Sequence, residues 1–298
     1  MQGNNILDSV IPALVHSHCR RVKRYVFTEA YFDESGIHDG AKLCAVGGYY
    51  GTEEAWRKFE KQWRAILKDN GLLEIGFHAK DFYRRKDGKR VPPYADWANE
   101  KAAKFENRLI QAIMRSRIVP FGHGVVVAEW NNLPYDMRKF LSGAHRRKGK
   151  FLSSGAPAKS YYLPFQLCVS EAVCSSGAQD KVHLFAGLDR TFSDYAGILY
   201  RQLFNDPRLS QTTKDKMGTL AFPLAKDTPP LQAADLLVYQ LYQFGLARFR
   251  GGARMRPILK SLLKNQRANQ RFNLLRTDDF YELVTIATAG SAAYQKRG

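Results

Sequence analysis

The alternation of apolar and polar residues predicts two strands and a helix in the early part of the chain. Residues 24–32 alternate weakly and are rich in aromatic side chains, and LCAVGGYY at 43–50 has the composition of a second strand. From Glu53 onward, apolar residues recur at helical spacing, with Thr52 placed to cap the helix and Gly71 placed to end it. We therefore predict a strand pair followed by an amphipathic helix.

Helical and strand patterns interleave along the rest of the chain. The sequence predicts helices over 97–117, 160–173 and 229–247, and strands over 121–130 and 181–189. A shorter helix (DYAGILYRQLF) and a short strand (GTLAFPL) fall between the strand at 181–189 and the helix at 229–247. This interleaving predicts an α/β fold built on one mixed sheet flanked by helices.

The domain organisation follows from composition. No linker rich in Pro, Gly or Ser divides the chain, and no internal repeat is present. We predict an N-terminal extension over 1–24, one domain over 25–248, and a basic C-terminal extension over 249–298 that packs back on the body.

The net charge points to a polyanionic partner. Lys and Arg total 46 against 28 Asp and Glu, which gives a net charge of +18 and a pI near 9.8. A domain this basic is expected to attract nucleic acid, either DNA or RNA. The alternative is a charge that serves solubility or binds anionic surfaces without specificity. The excess is concentrated in four stretches, namely RRKDGKR (84–90), HRRKGK (145–150), ARFRGGARMR (247–256) and KNQRANQR (264–271).

The compartment is expected to be cytoplasmic. The N-terminus lacks the basic start of a signal peptide, and Asp8 interrupts its short apolar stretch. No apolar run is long enough to span a bilayer, so no membrane association is expected. The four cysteines form no CxxC pair and no zinc-like spacing with histidine, and Cys168 and Cys174 fall in an apolar helical pattern. We predict that these two are reduced core residues.

Two adjacent acids stand where the first predicted strand ends. The stretch YFDESG places Asp33 and Glu34 before a Ser-Gly turn. One interpretation is an ordinary strand end, where Asp, Ser and Gly are all common. The other is that Asp33 ends the strand so that its carboxylate reaches a shared site, which requires partner acids elsewhere. On a regular strand, Glu34 is expected to point away from Asp33, unless the turn at Gly36 swings it inward.

A second acid lies on an apolar helix. From Pro229 to Ala247, Asp235 is the only charged residue, and its neighbours at helical spacing are apolar or aromatic. An ionised carboxylate on such a face needs a partner. A bond to the backbone is one alternative, but a helix interior offers few free N–H groups. We favour a metal ion, or a Lys or Arg from elsewhere.

A third acid, Asp189, follows the strand predicted over 181–189. Ligands gather at the carboxyl ends of strands in α/β sheets, although an Asp before a helix is also a common N-cap. Together, Asp33, Asp189 and Asp235 would supply oxygen ligands from three distant parts of the chain. Mg²⁺ and Mn²⁺ prefer such ligands, and a pair of these ions can promote phosphodiester cleavage.

The motifs YFDESG, FHAKDF (77–82), LDR (188–190) and KDTPPLQAADLLVY (226–239) resemble the bacterial and phage family called domain of unknown function 3800, over roughly residues 25 to 245. The resemblance implies a ribonuclease H-like fold whose members commonly cut or join nucleic acid with Mg²⁺ or Mn²⁺. It implies that Asp33 is the first-strand acid, Asp189 the later strand acid and Asp235 the helix acid, with Glu34 also part of the motif. A typical ribonuclease H has a further Glu on its first helix, where Glu60 is available here.

Four residues near these motifs are candidate substrate ligands. His78 is placed to contact a phosphate or move a proton, or else to form a structural pair with Asp81. Lys80 lies in the same motif, Arg190 follows Asp189, and Lys226 precedes the Asp235 helix.

Three functions are consistent with this pattern. The first is a divalent-metal-dependent nuclease that hydrolyses phosphodiester bonds of DNA or RNA. The second is a nucleic-acid-binding protein of the same fold that does not cut. The third is an actin-like phosphotransferase, against which the sequence has no P-loop and no second glycine-rich phosphate turn.

Overall fold

The computed structural model describes residues 29–38, 40–143, 146–147, 150–151, 158–177, 180–207, 209–252, 254–265 and 272–295. The predicted N-terminal extension over 1–24 lies outside these residues, as do half of the basic stretch at 145–150 and most of that at 264–271. No helix within the described ranges has both the length and the apolar character needed to cross a membrane.

Ten strands and eleven helices are described. The strands are β1 (Glu29–Ser35), β2 (Leu43–Gly51), β3 (Arg85–Lys86), β4 (Lys89–Arg90), β5 (Val119–Val126), β6 (Arg146–Arg147), β7 (Lys150–Phe151), β8 (Val182–Ala186), β9 (Met217–Ala221) and β10 (Asn273–Leu275). The helices are α1 (Glu53–Asp69), α2 (Ala79–Tyr83), α3 (Asn99–Ser116), α4 (Val127–Asn132), α5 (Tyr135–Leu141), α6 (Tyr162–Ser175), α7 (Ser193–Asn205), α8 (Gln211–Lys216), α9 (Pro229–Phe249), α10 (Pro257–Leu262) and α11 (Thr277–Gln295), with a 3₁₀ turn at Ala225–Asp227.

A six-stranded mixed sheet forms the centre of the molecule, in the order β10-β5-β2-β1-β8-β9. β2 is antiparallel to both β1 and β5, whereas β8 and β9 continue the sheet parallel to β1. β10 adds a parallel strand beside β5. The prediction of a mixed α/β sheet is therefore confirmed, and β1 is its central strand.

Helices cover both faces of the sheet because side chains alternate along the central strands. Tyr31 belongs to the hydrophobic cluster that includes the aromatic face of α1 and residues of α3 and α9 on one side. Its neighbour Phe32 packs with α6 and α7 on the other. On the first side, the prediction of α1 is confirmed, including its cap, since Thr52 Oγ1 accepts a hydrogen bond from the Ala55 N–H at 3.2 Å.

Two predicted strands end earlier than expected. The segment predicted over 121–130 is a strand only to Val126, after which the chain turns into α4, because an apolar run fits either a strand or a buried helix. The strand predicted over 181–189 ends at Ala186, so Asp189 lies in the loop that follows it.

The segment after residue 248 packs on the body. Leu259 and Leu262 of α10 are buried in the core beside α1 and α3. Phe280 of α11 is buried against Trp130, with ring centroids 5.6 Å apart.

The cysteine prediction was correct for Cys168 and wrong for Cys174. Cys44 and Cys168 are buried free thiols, whereas Cys174 is buried and disulfide-bonded. An apolar pattern predicts burial, but it does not reveal whether another cysteine approaches within bonding distance.

Candidate functional site

The first acids lie where β1 loses its parallel neighbour. The pairing of β1 with β8 ends at Phe32 and Ala186, and the Gly187 N–H then donates to the Phe32 carbonyl at 3.1 Å. On the other side, the pairing of β1 with β2 continues to Ser35. Asp33 and Glu34 are therefore held in the strand ladder, at the carboxyl edge where ligands commonly bind in α/β sheets.

The turn after these acids requires glycine. Gly36 has φ +81°, in the left-handed region that favours glycine. A Cβ at this position would lie 2.1 Å from the Leu43 carbonyl oxygen, so a side chain would force β1 and β2 apart. The Gly of YFDESG thus allows the chain to turn directly after the two acids while it stays close to the start of β2.

The Asp33 and Glu34 carboxyl groups meet, contrary to what strict strand alternation predicts for Glu34. Their side chains share a hydrogen bond, and both approach the Gly187 backbone. A Cβ on Gly187 would lie 2.3 Å from Asp33 Oδ1 and 3.7 Å from Glu34 Oε2. The two acids converge because the space over Gly187 holds no side chain.

Asp235 reaches the same region from α9, which packs directly on β1 and β2. Its side chain is 7% exposed, and Oδ2 accepts a hydrogen bond from the Ala79 N–H at 2.7 Å. Ala79 is the first residue of α2, whose preceding residue, His78, makes no side-chain cap. The backbone partner considered as the alternative for Asp235 is therefore present, because another helix supplies a free N-terminal N–H, and the metal partner stays a prediction.

Asp189 lies in the loop before α7 and is not the N-cap of that helix, which is Phe192, and its role as a ligand residue stays a prediction. Its Oδ1 accepts a hydrogen bond from the Thr191 N–H at 2.7 Å, and its carbonyl accepts from the Ser193 N–H at the start of α7. The side chain therefore orders the entry to α7. Its charge also raises the pKa of Glu34, which places it in the electrostatic field of the strand acids.

These four acids, Asp33, Glu34, Asp189 and Asp235, are called the acidic cluster. Burial and then the charge of Asp235 raise the pKa of Asp33 to about 7. Burial and the charges of Asp33, Asp189 and Asp235 raise the pKa of Glu34 well above its usual value. Burial also raises the pKa of Asp235 to about 6, although the charge of His78 and the Ala79 N–H oppose the shift. The ionised forms therefore destabilise one another.

His78 supplies positive charge beside the acidic cluster. Its Nδ1 lies 2.8 Å from Asp81 Oδ2, so the predicted structural pair is present. Burial lowers the pKa of His78, but the charges of Asp235, Asp81 and Asp33 outweigh this effect and raise its pKa overall. The structure thus brings His78 near the site as well as pairing it.

Two of the predicted basic ligands are neighbours in sequence of residues at the site, and the third lines a separate cavity. Lys80 and Arg190 are exposed and directly follow Ala79 and Asp189 in the chain. Lys226 is also exposed, but it lines a separate cavity of about 440 Å³ beside α1. Glu60, the candidate on the first helix, pairs with Arg64 at 3.4 Å.

A residue that the sequence reasoning missed is Gln232, one helical turn before Asp235. Its Oε1 accepts hydrogen bonds from Trp63 Nε1 at 2.8 Å and from the Phe77 N–H at 3.0 Å. Its Nε2 donates to the carbonyls of Ala225 and Lys226 at 3.1 and 2.9 Å. Gln232 therefore fixes the loop that leads to Ala79. A buried amide in an apolar helix, three residues before the lone acid, was the available signal.

The fit of a divalent cation rests on donor chemistry. The cluster offers only carboxylate oxygens, which Mg²⁺ and Mn²⁺ prefer, and a cation would relieve the repulsion that raises these pKa values. As the side chains stand, however, no three Asp, Glu, His or Cys residues in the described ranges form a group that can hold a metal ion.

Comparison of the chain with known protein families, with curated proteins and with solved structures found no match in any of the three. The resemblance drawn from the sequence motifs therefore stays a prediction.

Proposed function

We propose that the protein is a divalent-metal-dependent nuclease of ribonuclease H-like fold that hydrolyses phosphodiester bonds of DNA or RNA. The observation that carries the proposal is that acids from three distant parts of the chain lie close enough for the charge of one to raise the pKa of another. Asp235 raises the pKa of Asp33, and Asp189 raises that of Glu34, at the carboxyl edge of the central strand. Raised carboxyl pKa values at such an edge are typical of functional sites.

The strand arrangement supports the fold assignment. An antiparallel run of three strands, β5-β2-β1, continues into the parallel strands β8 and β9. This order, with the first acid on the central strand and the last on a helix packed against it, is the arrangement expected of a ribonuclease H-like fold.

The residues have separate roles in the proposed reaction. Asp33, Asp189 and Asp235 would hold Mg²⁺ or Mn²⁺, with Glu34 beside them. When bound, the metal would activate a water and stabilise the leaving oxygen of a phosphodiester. His78, whose pKa is raised, would donate a proton or a hydrogen bond to a phosphate oxygen. Lys80 and Arg190, both exposed, would contact the substrate backbone.

The test is cleavage of a panel of DNA and RNA substrates in Mg²⁺, Mn²⁺ or EDTA. Wild type is compared with Asp33→Asn and Asp235→Asn, which keep the shape of each side chain and remove its charge. Cutting that requires metal and disappears in both variants supports the proposal. Metal-independent cutting, or cutting that survives both substitutions, would contradict it.

A second candidate is a nucleic-acid-binding protein of the same fold that does not cut. One observation favours it, because Asp235 already has a structural partner in the Ala79 N–H. This candidate predicts salt-sensitive binding in EDTA, no cleavage in any metal, and no change in affinity on substituting Asp33.

A further inference from the structure

A hairpin next to the acidic cluster places two arginines side by side. β3 and β4 are joined by Asp87-Gly88, both with positive φ, as a two-residue hairpin turn requires. The hairpin pairs Arg85 directly with Arg90. Like charges placed opposite each other across two strands are destabilising. The fold therefore tolerates a local concentration of positive charge at this position.

The two guanidinium groups converge on one carbonyl. Arg85 Nη1 and Arg90 Nη1 both donate to the Phe82 carbonyl oxygen, at 3.1 and 3.4 Å. Arg90 Nη2 also donates to Asn99 Oδ1 at 3.3 Å. Arg85 Nη1 also donates to the Arg84 carbonyl at 2.9 Å, and the Arg90 Nε–H is buried without a hydrogen-bond partner among the described residues. The Arg90 guanidinium also lies over the Phe82 ring, 5.5 Å from the ring centroid.

A third arginine reaches this place from a distant part of the chain. Arg256 follows α9, and its Nη1 donates to Gln240 Oε1 at 3.2 Å. With Arg85 and Arg90 it lines a cavity of about 240 Å³, here called the arginine cavity, whose other polar lining residues include Tyr83, Asn99 and Glu106. Two of the basic stretches seen in the sequence, 84–90 and 247–256, therefore meet in space.

The charge of the arginine cavity is only partly neutralised by the protein. Glu106 is its one acidic lining residue, and its carboxylate accepts a hydrogen bond from the Tyr83 hydroxyl. In the part of the chain that the structure describes, no carboxylate forms a salt bridge with Arg85, Arg90 or Arg256. Three guanidinium groups against one carboxylate leave a site that suits an anion, and arginine favours phosphate oxygens in particular.

The arginine cavity adjoins the acidic cluster through a pair of stacked rings. Tyr83 stacks on Tyr239 with centroids 5.0 Å apart and planes 6° from parallel. Tyr239 lies one helical turn after Asp235 on α9, a rise of about 6 Å. The ring pair therefore links a residue that lines the arginine cavity to the helix that carries Asp235.

We propose that Arg85, Arg90 and Arg256 bind a phosphate group of a nucleic-acid strand whose neighbouring segment lies at the acidic cluster. The proposal rests on the proposed function for the identity of the strand. It adds a specific backbone-binding site to the nuclease centre.

The test measures binding without cleavage. A short fluorescein-labelled single-stranded oligonucleotide is titrated in EDTA, over a series of salt concentrations, against wild type, Arg85→Gln/Arg90→Gln and Arg256→Gln. We expect about tenfold weaker binding in the double variant and a weaker effect in the same direction for Arg256→Gln. The salt dependence should become shallower by about 0.7 in log–log slope for each phosphate that the variant no longer neutralises.

The matched control is Arg115→Gln, which removes an exposed arginine from a different cavity between α1 and α3. Wild-type affinity in this control, with lower affinity in the hairpin and Arg256 variants, supports the proposal. Equal affinity in all four proteins would overturn it. Circular dichroism melts of each variant show whether the fold is kept, and Arg256→Gln tests the site without altering the hairpin.

A further experiment distinguishes a nucleic-acid strand from free phosphate as the ligand of the arginine cavity. Inorganic phosphate that raises the melting temperature of wild type but not of the double variant, with unchanged oligonucleotide affinity, would overturn the strand assignment. The result is also distinct from that of the nuclease test. Reduced affinity in a protein that never cuts would leave this site standing and remove the nuclease proposal, whereas unchanged affinity in a protein that cuts would do the reverse.

Discussion

Asp235 accepts a 2.7 Å hydrogen bond from the backbone N–H of Ala79, so one carboxylate joins the acidic cluster to the start of α2. The same side chain is therefore both a charged member of the site and a helix cap. These two roles can be separated by substitution, because asparagine keeps the oxygen acceptor while losing the charge.

We predict that Asp235→Asn is at least as stable as wild type and loses cleavage by at least about a hundredfold. Outer-shell partners of metal ligands already cost about 10–100-fold, and a ligand should cost more. Asp235→Ala should lose activity and also lower the free energy of unfolding by about 1 kcal/mol, since Ala79 loses its acceptor. Urea denaturation and a cleavage assay in Mn²⁺ measure both effects. Full activity in Asp235→Asn would restrict Asp235 to its structural role.

Gln232 is predicted to be a positioning residue for the loop before α2. Gln232→Leu removes the acceptor of Trp63 Nε1 and of the Phe77 N–H, and it leaves both donors buried. We expect the free energy of unfolding to fall by about 3 kcal/mol. Gln232→Glu retains the acceptor but sets a carboxylate oxygen against the two carbonyls that Nε2 contacts, so it should also lower the free energy of unfolding. The exposed Gln111→Leu on α3 is the control, and a loss of equal size there would contradict the assignment.

The sequence predicts much of the fold because local signals agree there. The helical spacing and Thr52 cap of α1, the interleaving of strands and helices, and the lone charge of Asp235 are all visible in one dimension. The convergence of the acidic cluster was an inference from these signals, and the geometry brings the four acids into one electrostatic field.

The remaining features depend on partners that are remote in the chain. Ala79 and Asp235 are 156 residues apart, so no local pattern identifies the N–H that Asp235 accepts. The approach of Asp33 to Glu34 depends on open space over Gly187, which strand alternation does not reveal. The arginine cavity similarly joins a hairpin to a segment beyond α9.

Gly187 is predicted to be required for the position of Asp33. A Cβ in Gly187→Ala would lie 2.3 Å from Asp33 Oδ1, at the movable end of that side chain. The carboxylate should rotate away at little cost to folding. We therefore expect cleavage to fall about tenfold or more while the free energy of unfolding changes by less than about 1 kcal/mol.

Gly197→Ala on α7 provides the control for this substitution. The nearest atom to a Cβ at Gly197 is Arg201 Nη1, at 3.8 Å, so the change meets no obstacle. Activity should be unchanged and stability equal or slightly higher, since alanine favours helix over glycine. If both alanine variants cut like wild type, Asp33 does not need its observed position for the reaction.

The acidic cluster should make the metal-free protein less stable as the pH rises. The folded pKa of Asp33 is raised to about 7, so the folded state binds this proton more tightly than the unfolded state does. The contribution to stability is complete below the unfolded pKa, near 4, and is lost as the pH rises through 7. The raised pKa values of Glu34 and Asp235 act in the same direction.

Asp33→Asn isolates this effect. At pH 8 in EDTA, the variant should unfold at a higher urea concentration than wild type, because it removes an ionised carboxylate from the field of Asp235. At pH 5 the difference should be smaller, since Asp33 is then protonated in the folded wild type. Substitution of the exposed Asp96 by asparagine should leave the pH profile unchanged.

A bound divalent cation should restore the stability that the metal-free protein loses as the pH rises. A divalent cation that binds only the folded state raises the melting temperature by mass action. We expect Mg²⁺ or Mn²⁺ to raise the melting temperature of wild type at pH 8 more than at pH 5, where protons compete for the carboxylates. Asp33→Asn should show little of this increase. Equal responses of wild type and variant would mean that the cation binds elsewhere, and the acidic cluster would then stand as a proton-binding site without a metal.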